Sequence, residues 1–335
     1  MMKKECKTTG KKKLDARNIV QYFSVLAIIV LILVFWLIDP GFLNTANLSS
    51  LLSDTAPLMI MALGATFVLL LGSVDLSVGA VCSVVNVMAV YFMSEAFAQS
   101  QNVLSSALLG YGIAFLFGGV AGLLLGLVHV YLKLPSFIAS LGFMQIWQSV
   151  ALLISNSPVS IPKLLRPAVD WAKISIGVVG LPLILALVIV AIFFILQSKT
   201  NFGKALYAIG GNERAARMAG VKINQTKILA FVLAGLCAAL GSIFLIAKLK
   251  SSAPTVGNSF TLLVIASVAL GGTALTGGKG SVLGTVLGVF MVSIIKNGMI
   301  FAGVDVFWQD IVFGIVVIAA VALSVDRTSR STIVK

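Results

Sequence analysis

Polar chemistry in this 335-residue chain is concentrated in two places. The first is Asp75, set between Gly72-Ser73 and Ser77-Gly79 among apolar neighbours. A carboxylate inside a bilayer costs at least about 2.5 kcal/mol, so an intramembrane Asp points to a transport path. In a hairpin at the membrane face the same residue would be a solvated or capping group ahead of Leu76. The flanking runs are 18 residues each, just enough for two spans, but a break at membrane depth fits as well, and broken helices line many transport sites. Ser77, Asn86, Gln145 and Gln148 are placed on the same path. There they either hydrogen-bond a hydroxylated solute or tie helices together.

The second place is the polar island Ser198 to Lys227, which carries Gly211-Asn212-Glu213-Arg214-Ala215-Ala216-Arg217-Met218-Ala219-Gly220. Asn212 is predicted to cap a helix whose positive end Glu213 complements, and Gly220 to supply a left-handed stop. Ala215, Ala216 and Ala219 make a small-residue face. The product is about two turns, and isolated helices under about 12 residues are marginal in water. Such a helix must lie against something, either headgroups through Met218 and the arginines or a soluble partner.

Other chemistries lack their residues. The run Gly271-Gly272-Thr273-Ala274-Leu275-Thr276-Gly277-Gly278-Lys279-Gly280-Ser281 imitates a phosphate cradle without its spacing, and it follows an apolar helix instead of a strand. It reads as a tight reversal between helices, with Lys279 at the cytoplasmic headgroups. His129 is the only histidine and has no cysteine or carboxylate beside it, so a metal or proton-relay role has no support. Cys6, Cys82 and Cys237 form no disulfide or metal framework. The chain is expected to bind no metal or cofactor and to catalyse no reaction.

The elements holding these residues are membrane helices. Apolar residues make up 59% of the chain and charged residues 10%, and the apolar residues form unbroken runs without the alternation of a β-barrel. Ile19 to Ile38 is 20 uncharged residues, about 30 Å as a helix, which matches a hydrocarbon core. Further runs lie at Thr55 to Gly72, Leu76 to Met93, Val103 to Val128, Ser136 to Ile154, Ile174 to Gln197, Ile228 to Ala247, Thr261 to Thr276, Val282 to Phe301 and Trp308 to Ser324. The expectation is an all-α polytopic membrane protein of about ten transmembrane helices. It comprises a basic cytoplasmic tail over 1–18, one transmembrane domain over 19–325 with the island at 198–227, and a cytoplasmic tail over 326–335.

Ten crossings put both termini inside. Seven basic residues before the first helix, Lys133, six in the island, Lys279, Arg327, Arg330 and Lys335 then fall on the cytoplasmic side, whereas Lys163, Arg166, Lys173, Lys248 and Lys250 fall outside. That asymmetry follows the positive-inside rule. Lys296 lies within a helix near its outer end, where it can snorkel. The net charge of +13 sits at the membrane face, where anionic headgroups attract it, so nucleic acid is not implied. Gly118, Gly122 and Gly126, and Gly280, Gly284 and Gly288, make small-residue ridges for close helix packing. Pro57 and Pro182 are expected in first turns.

Four blocks in order, GSVDLSVGA, LPSFIASLGFMQI, GGNERAARMAGVKINQTKILAFVLAGLCAALGSIF and VALGGTALTGGKGSVLGTVLG, resemble the permease subunits of bacterial ABC importers of the ribose, xylose, arabinose and galactose type. The resemblance covers about Thr55 to Ser324 and implies the type II importer fold. It implies that Gly211, Asn212, Glu213, Arg214, Ala216, Arg217, Met218 and Gly220 form a coupling helix seated in a groove of a cytoplasmic ATP-binding subunit. It further implies a second permease copy, identical or related, and an extracytoplasmic sugar-binding protein that Asp54, Glu95, Asp170 and Asp305 could meet. ATP and Mg would sit on the partner ATPase, and the location would be the bacterial inner membrane.

The expected function is alternating-access import of a monosaccharide, a ribose-like pentose or a hexose. A nucleoside or furanosyl signal molecule would be served by a permease of the same appearance. An ion-coupled secondary transporter is the reading from another class, and it would need an embedded ionisable pair where the chain offers Asp75.

Overall fold

A computed structural model of the chain describes residues 16–324. Most of the basic tail, including Cys6 and Lys3 to Lys13, lies outside the described residues, as do Arg327, Arg330 and Lys335. Twelve α-helices occur among the described residues: α1 (Ala16–Ile38), α2 (Thr45–Leu70), α3 (Val78–Ser100), α4 (Val103–Tyr131), α5 (Ser136–Ile154), α6 (Leu181–Lys199), α7 (Asn201–Gly211), α8 (Glu213–Met218), α9 (Ile223–Leu249), α10 (Phe260–Leu270), α11 (Val282–Phe301) and α12 (Val306–Ser324). Seven of them, α2 to α6, α9 and α11, are long and apolar enough to cross a membrane. Shorter apolar stretches come from Ser24–Ile38, Phe260–Leu270 and Val306–Ile315.

Each of the ten apolar runs contains a helix, but several bounds move for local reasons. Asn44 accepts from Ala46 N and starts α2 at Thr45, ten residues ahead of the run. Pro57 is consequently inside α2 and not in a first turn, whereas Pro182 does sit at the start of α6. The run beginning at Ile174 opens with a hairpin, Ser175–Ile176 against Val179–Gly180, so α6 starts only at Leu181. Thr261 to Thr276 is not one helix: α10 stops at Leu270, and at 11 residues it is about 16 Å long, half a hydrocarbon core. Val159–Ser160 pairs with Ser251–Ser252 at the opposite end of the bundle from the island.

α9 is the central post. The ridge Gly118, Gly122 and Gly126 of α4 lies on it so closely that a Cβ at Gly122 would meet the Phe231 backbone. Gly64 of α2 is against Ala234 and Cys237. Gly284 and Gly288 press on Gly271 and Ser267 of the α10 region, while Gly280 is in the preceding loop. Both ridges therefore pack helices within the chain. Large apolar side chains remain exposed along α1, α4, α5 and α6, for example Leu116, Leu153 and Ile195, as lipid-facing helices require.

The depth of Asp75 follows from these contacts. Val68, near the end of α2, clusters with Phe231, whereas Cys82 O of α3 accepts from Ser242 Oγ at 2.9 Å. Phe231 and Ser242 are about 16 Å apart along α9 at 1.5 Å per residue. With α3 beginning one turn before Cys82, residues 71–77 climb about 10 Å without helical bonding. The link between α2 and α3 is therefore an extended climb along α9 and not a tight hairpin at the level of the α2 end.

Candidate functional site

Non-helical backbone inside a membrane must find its partners in protein. Around Asp75 those partners are polar residues placed one by one. Asp75 Oδ1 accepts from Ser77 N at 2.7 Å and Ser77 Oγ at 2.6 Å, and Val74 N donates to Ser136 Oγ at 3.0 Å. The facing irregular segment, 251–259, is held likewise: Ala253 N donates to Asn86 Oδ1 at 2.9 Å, Gly257 N to Ser83 Oγ at 2.9 Å, and Gln148 Nε2 to Pro254 O at 3.0 Å. The segments touch where Gly79 meets Gly257, each so near the other's carbonyl that a Cβ would collide.

Beside this contact is a concavity of about 350 Å³ lined by Leu76, Ala80, Gln145, Gln148, Asn258 and Thr261, with Met144 and Leu262. The volume is at the low end for small-molecule pockets. Its polar groups are neutral amides and a hydroxyl, and Gln148 Oε1 is buried without a partner. Of the five residues assigned to a path from sequence, Gln145 and Gln148 line the concavity. Asp75 and Ser77 stabilise the break beside it, and Asn86 is fully buried behind it. Asn258 and Thr261 were missed, because a polar residue at the edge of an apolar run looks like loop until α10 is seen to start at membrane depth.

At the other end, the island forms two helices. α7, capped by Thr200, was not expected as a separate element. α8 follows the expected chemistry: Asn212 Oδ1 accepts from Ala215 N at 3.0 Å, and Gly220 has φ +79°. Gly220 N bonds Arg217 O and Val221 N bonds Ala216 O, a Schellman stop. Ala216 is buried whereas Gly211, Arg214, Arg217 and Met218 are exposed, Met218 to 89%. Glu213 does more than offset the helix dipole, since it pairs with Arg217 at 3.2 Å and with Lys227 of α9 at 2.8 Å. The Lys227 hydrogen bond, outweighing partial burial, holds the Glu213 carboxyl below its ordinary value.

The island and the break are mechanically joined. Gly278 N donates to Leu70 O at 2.9 Å, and Gly210 of α7 sits against both. Gly72 packs on Thr276 O, while Tyr207 Oη donates to Gly280 O at 2.7 Å. Gly277 and Gly278 have φ of +85° and +72°, so the reversal needs glycine for its backbone as well as for its closeness. The Gly-rich run thus works as a wedge between α7 and the end of α2.

Of the four outer carboxylates, two are engaged in ion pairs within the chain: Asp54 with Lys248 at 2.6 Å, and Asp170 with Lys173 at 2.8 Å and Lys250 at 3.4 Å. The Lys173 hydrogen bond holds the Asp170 carboxyl below its ordinary range.

Comparison with known proteins agrees with this architecture. Residues 47–321 match the family described as branched-chain amino acid transport system / permease component. The probable ABC transporter permease protein YphD of Escherichia coli is 33% identical over 97% of this chain and 96% of its own length. The ribose import permease protein RbsC of Bacillus subtilis is 33% identical over 98% and 100%. The galactose/methyl galactoside import permease protein MglC of Escherichia coli is 31% identical over 92% and 94%. No solved structure gives a significant match. In this family ATP hydrolysis belongs to separate ATPase subunits and delivery to binding proteins. The chain therefore belongs to the ABC-transporter permease family and is a multi-pass membrane permease subunit of an importer.

Proposed function

We propose that this chain conducts a monosaccharide, a ribose-like pentose or a hexose, across a bacterial inner membrane by alternating access. The observation that carries the substrate class is the lining of the concavity at the break. It offers Gln145, Gln148, Asn258 and Thr261 and no charged side chain, which suits a neutral polyhydroxylated solute. An amino acid, as in the family's description, would leave two buried charges unpaired. The absence of an aromatic side chain from that lining favours a sugar over a nucleoside, whose base would want a stacking surface. The names of the ribose and galactose permeases it resembles support the same class.

In this reading residues 19–325 act as one permease domain with both termini cytoplasmic, and two copies enclose the path. Exposed Arg214, Arg217 and Met218 on α8 enter a groove of the ATPase subunit, which holds ATP and Mg while this chain holds no cofactor. Closure of the ATPase moves α7 and α8, and the wedge at Gly277 and Gly278 passes that movement to the end of α2 and the break. A sugar-binding protein docks at the opposite ends of the helices.

The test is ATP-dependent uptake of ribose, galactose and leucine into vesicles holding this chain with its ATPase and binding protein. Sugar uptake abolished by Arg217→Glu, with insertion intact, is the expected result. Preferential leucine uptake would overturn the substrate class, and full uptake in the variant would overturn the coupling role of α8.

A further inference from the structure

Behind α8 lies a cavity of about 410 Å³ that shares Glu213 and Arg217 with the coupling helix. It is formed where the end of α4, the turn into α5, α8 and the start of α9 meet, and it is lined by His129, Lys133, Glu213, Arg217, Asn224 and Lys227. Three basic side chains stand against one carboxylate, and Glu213 already bonds both Arg217 and Lys227. Lys133 has no ion pair among the described residues, and its backbone is left-handed, φ +54°, which fixes it at the turn. Lys227 is only 15% exposed, so the charge is held at the cavity and is not free in solvent.

Two further features describe the walls of the cavity. His129 Nδ1 lies 2.7 Å from Leu134 O and donates to it, which makes Nε2 of the neutral ring an acceptor. That Nε2 is buried without a partner. The rim beside the cavity is apolar and exposed: Tyr131, Leu132, Leu134 and Phe137. A basic pocket between membrane helices, opening beside lipid-facing apolar side chains, is the arrangement that holds an anionic headgroup.

We infer that this cavity binds the headgroup of an anionic phospholipid, of the phosphatidylglycerol type. Its phosphate meets Lys133 and Lys227 or Arg217, and its acyl chains lie along Tyr131 to Phe137. The occupant draws on the same cations that Glu213 holds, so lipid composition sets how firmly α8 is fixed to α9. The inference rests on the assignment of the island to the cytoplasmic leaflet side, but its test does not depend on transport.

The purified full-length chain, alone and with its ATPase, is titrated with short-chain phosphatidylglycerol and phosphatidylcholine, and retained lipid is read by native mass spectrometry. Lys133→Asn, which suits a left-handed backbone, is compared with Lys199→Gln, an equal charge loss away from the cavity. One phosphatidylglycerol retained per chain, weakened about fivefold by Lys133→Asn and unchanged by Lys199→Gln, is the expected result. Equal retention of the two lipids, or equal loss in both variants, overturns it. Displacement of the lipid by millimolar inorganic phosphate would make the ligand free phosphate. If Lys133→Asn weakens only ATPase association, the occupant is a carboxylate of that subunit, and the lipid assignment fails. Intact lipid binding with α8 variants that transport normally would instead fail the coupling reading alone.

Discussion

The docking island and the broken segment are both polar interruptions of an apolar chain, and they are stabilised in opposite ways. In α8 the backbone is satisfied by its own cap and Schellman stop, so Arg214, Arg217 and Met218 remain exposed for a partner. At the break, residues 71–77 and 251–259 leave peptide groups that no helix satisfies, and Asp75, Ser83, Asn86, Ser136 and Gln148 supply them with bonds. A polar residue at a watery surface is free to recognise something else, whereas one at membrane depth serves the backbone first. Only the remainder there, Gln145, Asn258, Thr261 and Gln148 Oε1, can read a solute.

Substitutions should separate the two regions. The largest effect is expected from Gly257→Val: its Cβ would enter the Gly79 carbonyl, so the two segments part, uptake is lost, and the melting temperature in detergent falls. Overpacking of this kind costs about 1–3 kcal/mol or more. An unchanged melting temperature would remove the contact from the stabilising structure. Next is Arg217→Glu, which reverses an exposed charge and also repels Glu213. Uptake should fall at least about tenfold while the melting temperature holds, because like charges at an interface cost several kcal/mol whereas surface pairs contribute under about 1 kcal/mol to folding.

Asn86→Ala sharpens the comparison from the buried side. It leaves Ala253 N without an acceptor and should destabilise by about 1–3 kcal/mol in thermal unfolding. The matching surface change, Asn258→Ala, should leave stability alone and raise the apparent KM for the sugar about twofold to tenfold, the worth of one net hydrogen bond.

The smallest effect is the pH dependence of α8. The Glu213 carboxyl is held below 4.5, its ordinary value, so the stabilisation is complete above that pH and is lost as pH falls through the depressed folded value. Protection of α8 amides from hydrogen exchange should be flat from pH 8 to pH 5. The difference between wild type and Glu213→Gln should shrink below pH 4.5, and by under about 1 kcal/mol, since the carboxylate is 43% exposed.

Much of this is legible in the sequence. The cap at Asn212 and the stop at Gly220 are local rules acting over ten residues, and they hold as read, whereas of the small face Ala215, Ala216 and Ala219 only Ala216 is buried. The glycine ridges were legible too, because spacing of four on a helix defines one face. What could not be read were features set by distant partners. α10 ends at Leu270 because Gly271 packs on Gly284, whereas the start of α2 at Thr45 comes from the local Asn44 cap, a signal the sequence does carry. Neither hydropathy nor length tells where an apolar stretch stops being helical. The Glu213–Lys227 pair joins residues on two elements whose mutual angle the sequence leaves unspecified.

The sequence by itself determined that this chain lies in a membrane, which end is basic, and where a short capped helix must project. Those outcomes follow from composition and from contacts within a few residues, which act on any chain of this sequence whatever surrounds it. The tertiary structure alone decided that Asp75 lies in an extended break between α2 and α3, that Asn86 and Gln148 hold backbone, and that Asn258 and Thr261 share a concavity with Gln145. Each of these depends on the level at which α3 and α10 begin relative to α9. That level is set by glycine contacts such as Gly64 on Ala234 and Gly79 on Gly257, which lie 170 or more positions apart in the chain.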